Sequence, residues 1–171
     1  GRLAAADAAF EGVATRDPSY SGLALERGRV FEDRNMPDRA VASYARALEE
    51  APDDLDLKLR LGAARAAAGQ LDAAETILRE VLAERPLSAE TLHFLGRVEF
   101  DRGRIQEAAQ LFGQAVNNDP SVATFHAYRG WAALLQNDLP IANQSAEAAL
   151  TREPTLPRVL WLRSELRART G

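Results

Sequence analysis

Five of the eight prolines in this chain are separated by the same interval of 34 residues. Given one starting proline, four further prolines at that interval are very improbable by chance. A spacing this regular predicts an array of similar units rather than one irregular domain around a single core. The five prolines are Pro18, Pro52, Pro86, Pro120 and Pro154.

Further residue types recur in the same phase. One position of each unit holds only glycine or asparagine, the residues that most readily adopt the left-handed conformation that ends a helix, so it marks a turn. Other positions hold a small residue or a large apolar one. The turn residues are Gly1, Asn35, Gly69, Gly103, Asn137 and Gly171; the alanines are Ala6, Ala40, Ala74, Ala108 and Ala142; the glycines are Gly28, Gly62, Gly96 and Gly130; the large residues are Phe10, Tyr44, Leu78 and Phe112, with Ala146 breaking the series.

This combination resembles the tetratricopeptide repeat, a helical hairpin with a small residue in the first helix, a Gly or Asn turn, and an alanine and an aromatic residue in the second helix. The resemblance extends over the whole chain. It implies an all-α fold, a right-handed superhelical solenoid of antiparallel helix hairpins with about ten helices. Arg27, Arg129 and Arg163 depart from the pattern, because they occupy a position that is apolar in the family.

The repeat phase predicts one array over residues 1–171. Because both ends fall inside a repeat, we expect either a segment of a longer array or a capping helix at the C-terminal end. Residues 1–20 are predicted to be a half repeat with only a second helix, 21–54, 55–88, 89–122 and 123–156 full repeats, and 157–171 a half repeat or capping helix. The predicted helices span 21–34, 37–50, 54–68, 71–84, 88–102, 105–118, 122–136, 139–151 and 156–169.

Composition excludes several classes of function. The net charge of −4 disfavours binding to nucleic acid or to an anionic membrane, and we find neither an apolar run long enough to cross a bilayer nor a signal peptide. The absence of cysteine excludes disulfides and thiolate chemistry. Twenty arginines against one lysine are typical of a GC-rich bacterial coding sequence, so we expect a bacterial protein. Both the cytoplasm and the periplasm stay open as its compartment.

The sequence offers no set of residues for catalysis. Its two histidines, His93 and His126, lack the second ligand that a metal site needs, and the glycines follow the repeat instead of forming a phosphate loop. No serine is placed beside a histidine by the repeat, so nucleophilic catalysis has no candidate. We therefore predict that the chain is not an enzyme and has no catalytic residue, metal site or cofactor.

A binding face is predicted from the side of each first helix that hairpin packing leaves free. By resemblance to the family, that side lines a concave groove. Tyr128 and Trp131 attract most interest, because exposed aromatic residues with polar tips near arginines are typical of interaction hot spots. The competing interpretation places Trp131 in the core. The candidate groove residues are Arg60, His93, Phe94, Arg97, Tyr128, Trp131, Leu135 and Trp161.

These observations predict a non-enzymatic scaffold that binds a peptide or helix of a partner protein. The partner would place apolar anchors on Tyr128, Trp131 and Trp161, and an acidic group near Arg60 or Arg97. The groove lacks the asparagines and lysines of the family members that grip chaperone C-termini, which excludes that specificity.

Two alternatives stay open. The chain would be an accessory domain of a larger multidomain enzyme or of a secretion or assembly machine, or it would self-associate into a homo-oligomer through open helix faces at its two ends. The residues of those end faces are Leu3, Phe10, Val159, Leu160 and Leu166.

Overall fold

The computed structural model describes residues 22–170, and every regular element in this range is an α-helix. All helices begin and end within two residues of the predicted boundaries. The half repeat predicted for residues 1–20, with Leu3 and Phe10, lies outside the described residues. The helices are α1 (Leu23–Asp33), α2 (Pro37–Glu50), α3 (Leu55–Ala67), α4 (Leu71–Glu84), α5 (Ala89–Asp101), α6 (Ile105–Asn118), α7 (Ala123–Leu135), α8 (Leu139–Arg152) and α9 (Pro157–Thr170).

Side-chain caps and a proline fix where several helices start. The carboxylate of Asp54 accepts hydrogen bonds from the backbone N–H groups of Asp56 (2.9 Å) and Leu57 (3.0 Å) at the start of α3. The hydroxyl of Ser88 accepts one from the N–H of Thr91 at the start of α5. These side chains satisfy N–H groups that have no partner inside the helix. Pro37 opens α2, where its missing N–H costs nothing.

The turn inside each hairpin has the conformation that the glycine and asparagine positions predicted. Asn35 and Asn137 have φ angles of 54° and 60°, and Gly69 and Gly103 have φ angles of 75° and 79°. Side chains other than Asn rarely adopt this left-handed region, whereas Gly does so without strain. The predicted turns are thereby confirmed for the described hairpins.

The glycine in each first helix lets a large side chain of another helix pack directly on its backbone. A Cβ atom placed on Gly62 would lie 2.7 Å from Leu78, and one on Gly96 would lie 2.6 Å from the ring of Phe112. Both partners are fully buried. Close backbone approach therefore holds the two helices of a hairpin together.

The fourth hairpin achieves the same packing with a residue from outside it. Its second helix carries Ala146 where the other hairpins carry Tyr44, Leu78 or Phe112. Leu162 of α9 fills that space, and a Cβ atom on Gly130 would lie 2.6 Å from it. Leu162 thus takes the place of the large core side chain that the fourth hairpin lacks. Through it, α9 packs on that hairpin and contacts both α7 and α8.

The chain forms two compact units, one up to Val81 and one from Leu82 onward. In the first unit, fully buried Tyr44 donates a hydrogen bond of 2.6 Å to the carboxylate of Glu32. In the second unit, buried apolar side chains of α5 to α9 form successive clusters between neighbouring helices. The candidate aromatic residues lie in this second unit.

Candidate partner-binding face

His93 on α5 lies inside an aromatic cluster. Its side chain is only 4% exposed, and its ring centroid lies 4.9 to 5.7 Å from the ring centroids of Phe94, Phe112, Phe125 and Tyr128. The ring Nδ1 atom is buried and has no hydrogen-bond partner among residues 22–170. The cluster therefore leaves His93 almost no surface for direct contact with a partner.

The environment of His93 keeps its imidazole neutral. Burial, and after it the positive charges of Arg97 and Arg158, lower the pKa of His93 to about 3. Desolvation and nearby like charge both disfavour the protonated ring. At neutral pH His93 accordingly adds no positive charge to that of the two arginines.

Arg97 and Arg158 both approach the ring of Tyr128. The guanidinium carbon of Arg97 lies 5.6 Å from the centroid of that ring, and the guanidinium carbon of Arg158 lies 4.8 Å from it. Both distances fall in the range of attractive cation–π contacts. We call Arg97, Tyr128 and Arg158 the arginine–tyrosine row. Within residues 22–170, neither arginine forms an ion pair or a hydrogen bond, although Arg97 also lies over Phe94.

Tyr128 itself is buried and contributes little accessible surface to the row. Its side chain is 7% exposed and packs with Ala108, Phe112 and Ala132 in one buried cluster. The sequence predicted an open anchor at this position. The structure instead places the arginines beside the ring, so that they, and not the tyrosine, provide most of the accessible surface.

Trp131 and Trp161 form a parallel stack, which we call the tryptophan pair. Their ring centroids are 4.0 Å apart and their planes differ by 4°. Trp131 is half-buried and packs against the core cluster that contains Leu134 and Leu162. Trp161 is 49% exposed, and Leu135, which lies four residues after Trp131 on α7, is 50% exposed. Both interpretations of Trp131 therefore describe part of its environment, whereas Trp161 faces outward.

Helical geometry places the row and the pair next to each other. Tyr128 and Trp131 are three residues apart on α7, and Arg158 and Trp161 are three residues apart on α9, so each couple shares a helix face. Three residues correspond to roughly 4.5 Å along a helix axis. The second unit thus presents a cationic site beside an apolar one. Arg158 lies on the free face that the sequence predicted for the last helix, but it was not selected as a candidate contact there.

Arg60 has a different environment in the first unit. One of its guanidinium nitrogens lies 3.5 Å from the carboxylate of Glu32. The same carboxylate accepts the hydrogen bond from Tyr44. Burial, followed by the hydrogen bond and charge of Glu32, raises the pKa of Tyr44. Because Glu32 already balances the charge of Arg60, Arg97 is the better candidate to receive an acidic group of a partner.

His126 has a structural environment. Its Nε2 atom lies 2.9 Å from the carbonyl oxygen of Pro120, and burial lowers its pKa. The guanidinium of Arg152 donates a hydrogen bond of 2.6 Å to the same oxygen. Across residues 22–170, no group of three or more potential metal ligands converges. None of the helices described there combines the length and the apolar character that crossing a bilayer requires.

Comparison with known proteins bears on both the family and the fold. One sequence model described as "Tetratricopeptide repeat" matches residues 31–98 and 67–132, and a second model with the same description matches residues 1–54. No curated protein sequence matches the chain.

Solved structures are similar to the chain over most of its length. TTC0263, a thermophilic TPR protein of Thermus thermophilus, has a TM-score of 0.77 at 22% identity, with 88% of this chain and 83% of that chain covered. YrrB, described as a TPR protein with an unusual peptide-binding site, has a TM-score of 0.65 at 20% identity, with 95% and 84% covered. MamA of Desulfovibrio magneticus RS-1 has a TM-score of 0.65 at 19% identity, with the same coverage. These similarities confirm the predicted all-α fold of tandem helix hairpins.

Proposed function

The chain belongs to the tetratricopeptide repeat family, and we propose that it is a scaffold that binds a segment of a partner protein on the face that carries the tryptophan pair and the arginine–tyrosine row. Tetratricopeptide repeat proteins are in general non-enzymatic and bind protein or peptide partners. The single observation that carries this proposal is the outward-facing Trp161, stacked on a half-buried Trp131.

The tryptophan pair is suited to bind an apolar side chain. Trp131 is held by core contacts, and its stacking partner Trp161 is therefore ordered before any ligand arrives. Aromatic side chains that are already fixed lose little conformational entropy on binding, and tryptophan is enriched among residues that dominate binding energy. Exposed Leu135 extends the apolar surface along α7.

YrrB gives independent support for this type of function. It shares the fold and is described as having a peptide-binding site. The identity of 20% is too low to transfer its site to this chain. The proposal for this chain therefore rests on its own exposed residues and on the general role of the family.

Self-association is the second candidate function, and an exposed patch on α9 favours it. Leu160 is 39% exposed beside Trp161, and a second copy of the chain would cover both. Val159 and Leu166, which were predicted to belong to this open face, are instead buried against the chain itself. A mass that rises with concentration in sedimentation experiments, and that Leu160→Glu restores to the monomer value, would favour self-association over partner binding.

The substitution Trp161→Ala tests partner binding. Since Trp161 is half exposed, we expect the melting temperature of the variant to stay within a few degrees of wild type. Its affinity for the partner should fall by roughly thirtyfold, which corresponds to about 2 kcal/mol. Wild type and variant are used to capture proteins from the source lysate, captured proteins are identified by mass spectrometry, and the affinity of the bound segment is then measured by calorimetry. Leu160→Ala is the matched control, because it removes an exposed apolar side chain from the neighbouring position. Equal affinities of wild type and Trp161→Ala would refute the proposal.

A further inference from the structure

We propose that the arginine–tyrosine row is a carboxylate-binding site in which Arg97 and Arg158 together receive one acidic group of a ligand. The inference deepens the proposed function and rests on it, because it assigns the chemistry of a second contact beside the tryptophan pair. The observations that carry it are separate from those on the tryptophan pair.

The first observation is that two cations converge without a counter-ion. The guanidinium groups of Arg97 and Arg158 lie 5.6 Å and 4.8 Å from one ring centroid, that of Tyr128. No carboxylate among residues 22–170 pairs with either of them. Two like charges that approach the same ring repel each other, and an anion bound beside them would offset that repulsion.

The second observation concerns the acidic residues of the same helices. Glu99 on α5 is buried and forms ion pairs with Arg102, at 3.8 Å, and with Arg104. Glu165 on α9 forms an ion pair with Arg169 at 3.2 Å. Both carboxylates are therefore committed to other arginines. Glu90 and Asp101, the other acidic residues of α5, form no ion pair with Arg97 or Arg158, so the charge on the row is left for a group from outside the described chain.

The third observation is an unpartnered nitrogen in the imidazole that contacts Tyr128. The Nδ1 atom of His93 is buried without a hydrogen-bond partner, in a side chain that is 4% exposed. His93 is in edge-on contact with Tyr128, with ring centroids 4.9 Å apart. A buried polar atom without a partner costs free energy in the unliganded protein. The imidazole that carries this atom lies against the ring that both arginines approach.

A carboxylate fits this environment better than a phosphate. The guanidinium group is planar and presents paired N–H donors that match the two oxygens of a carboxylate. The two guanidinium groups meet at a largely apolar aromatic ring, so their own N–H groups are the main donors that the row offers to a ligand. The two positive charges can neutralise a ligand that carries one or two negative charges. The nearby tryptophan pair favours a ligand whose acidic group adjoins an apolar group.

The test uses small probes that carry the acidic group without an apolar anchor. N-acetylglutamate N-methylamide supplies only a side-chain carboxylate, and N-acetylalanine supplies only a terminal one. Inorganic phosphate and the neutral N-acetylglutamine N-methylamide are the comparison probes. Binding to the full chain is followed by NMR through the arginine side-chain Nε–Hε resonances, at constant ionic strength because salt screens exposed charges.

We expect at least one carboxylate probe to shift the resonances of Arg97 and Arg158 and to bind more tightly than both comparison probes. Arg97→Gln and Arg158→Gln should each weaken that binding by about tenfold, since a charge-assisted contact is lost. Arg158→Lys should bind with intermediate affinity, because it keeps the charge and loses the paired donors. Arg167→Gln is the matched control, since it removes the same charge from α9 at an exposed position on the opposite side of the helix.

The relative affinity of the two carboxylate probes identifies the source of the acidic group, a side chain or a chain terminus. Tighter binding of phosphate, binding of the neutral probe with equal affinity, or equal losses in Arg167→Gln and Arg158→Gln would overturn the inference. Melting temperatures of the glutamine variants show whether each remains folded, and Arg158→Lys keeps the test valid if a glutamine variant unfolds. Because the probes have no apolar anchor, their failure removes the carboxylate site alone, whereas loss of the Trp161 effect removes the proposed function.

Discussion

Replacing Gly96 by alanine tests the packing that defines a hairpin. The new Cβ would lie 2.6 Å from Cε1 and 2.7 Å from Cδ1 of the Phe112 ring. That ring is fully buried and packs against Ala108, Tyr128 and Ala132, so it has no free space into which to move. Carbon atoms pack favourably at about 3.5 to 4.0 Å, so the contact would be close to 1 Å too short.

Two effects of opposite sign set the magnitude. Alanine is more favourable than glycine inside a helix by about 1 kcal/mol. Overpacking a well-filled core typically costs about 1 to 3 kcal/mol, and a backbone-anchored Cβ against a buried ring belongs at the upper end. The expected net loss is therefore about 2 kcal/mol, which lowers the melting temperature by roughly 4 to 8 °C for a chain of this size.

Gly113→Ala is the matched control for Gly96→Ala. Gly113 lies within α6, and a Cβ atom placed on it would meet no atom within 4 Å. The same chemical change should therefore raise stability by about 0.5 to 1 kcal/mol, through helix propensity alone. Both variants are melted by circular dichroism, and amide hydrogen exchange shows whether α5 and α6 are the affected helices. An increase in stability for both variants would refute the reasoning that close backbone approach is required at Gly96.

Three further predictions concern the same unit. Ala108→Phe should cost roughly 1 to 3 kcal/mol, because Ala108 is fully buried against Phe112, and an unchanged melting curve would contradict this. Since the pKa of His93 is lowered to about 3, only the unfolded chain binds this proton between pH 6.5 and 3, so stability should fall by about 1.4 kcal/mol per pH unit as the pH is lowered below about 6. Urea titrations at several pH values should show that the stability of His93→Phe lacks this contribution to its pH dependence. The same slope of stability against pH in wild type and variant would refute the prediction. Trp131→Ala should lower both stability and partner affinity, each by about 2 kcal/mol, whereas an effect on stability alone would assign Trp131 to the core only.

The helices were predictable because each depends on signals within one repeat. The 34-residue period, for example, identifies Asn137 as a turn residue. Asparagine readily adopts the left-handed conformation of such a turn, and the observed φ is 60°. Asp54 fixes a helix start through local hydrogen bonds, and Pro37 does so because its missing N–H and fixed φ suit the first helical position. Local physics and the repeat period agree for these elements, so the sequence determines them without knowledge of the packing.

The site was less predictable because it depends on contacts between repeats. Tyr128 occupies a position on the first helix that the pattern leaves free, yet the aromatic rings of Phe112 and His93 cover it. Helix period cannot distinguish an exposed aromatic residue from one that a neighbouring helix covers. The convergence of Arg97 and Arg158 on one ring likewise joins residues of α5 and α9, across the helix that carries Tyr128, and no single repeat contains that information.

Helix α9 connects the packing of the last hairpin to its binding face. Val159, Leu162 and Leu166 are buried against α7 and α8, at spacings of three and four residues that place them on one side of the helix. Leu162 occupies the space that Ala146 leaves empty, which fixes the rotation of α9 about its axis. With that rotation fixed, Arg158 and Trp161 have to emerge beside Tyr128 and Trp131. The small residue that breaks the repeat pattern in α8 is therefore what allows α9 to complete both the core and the binding face.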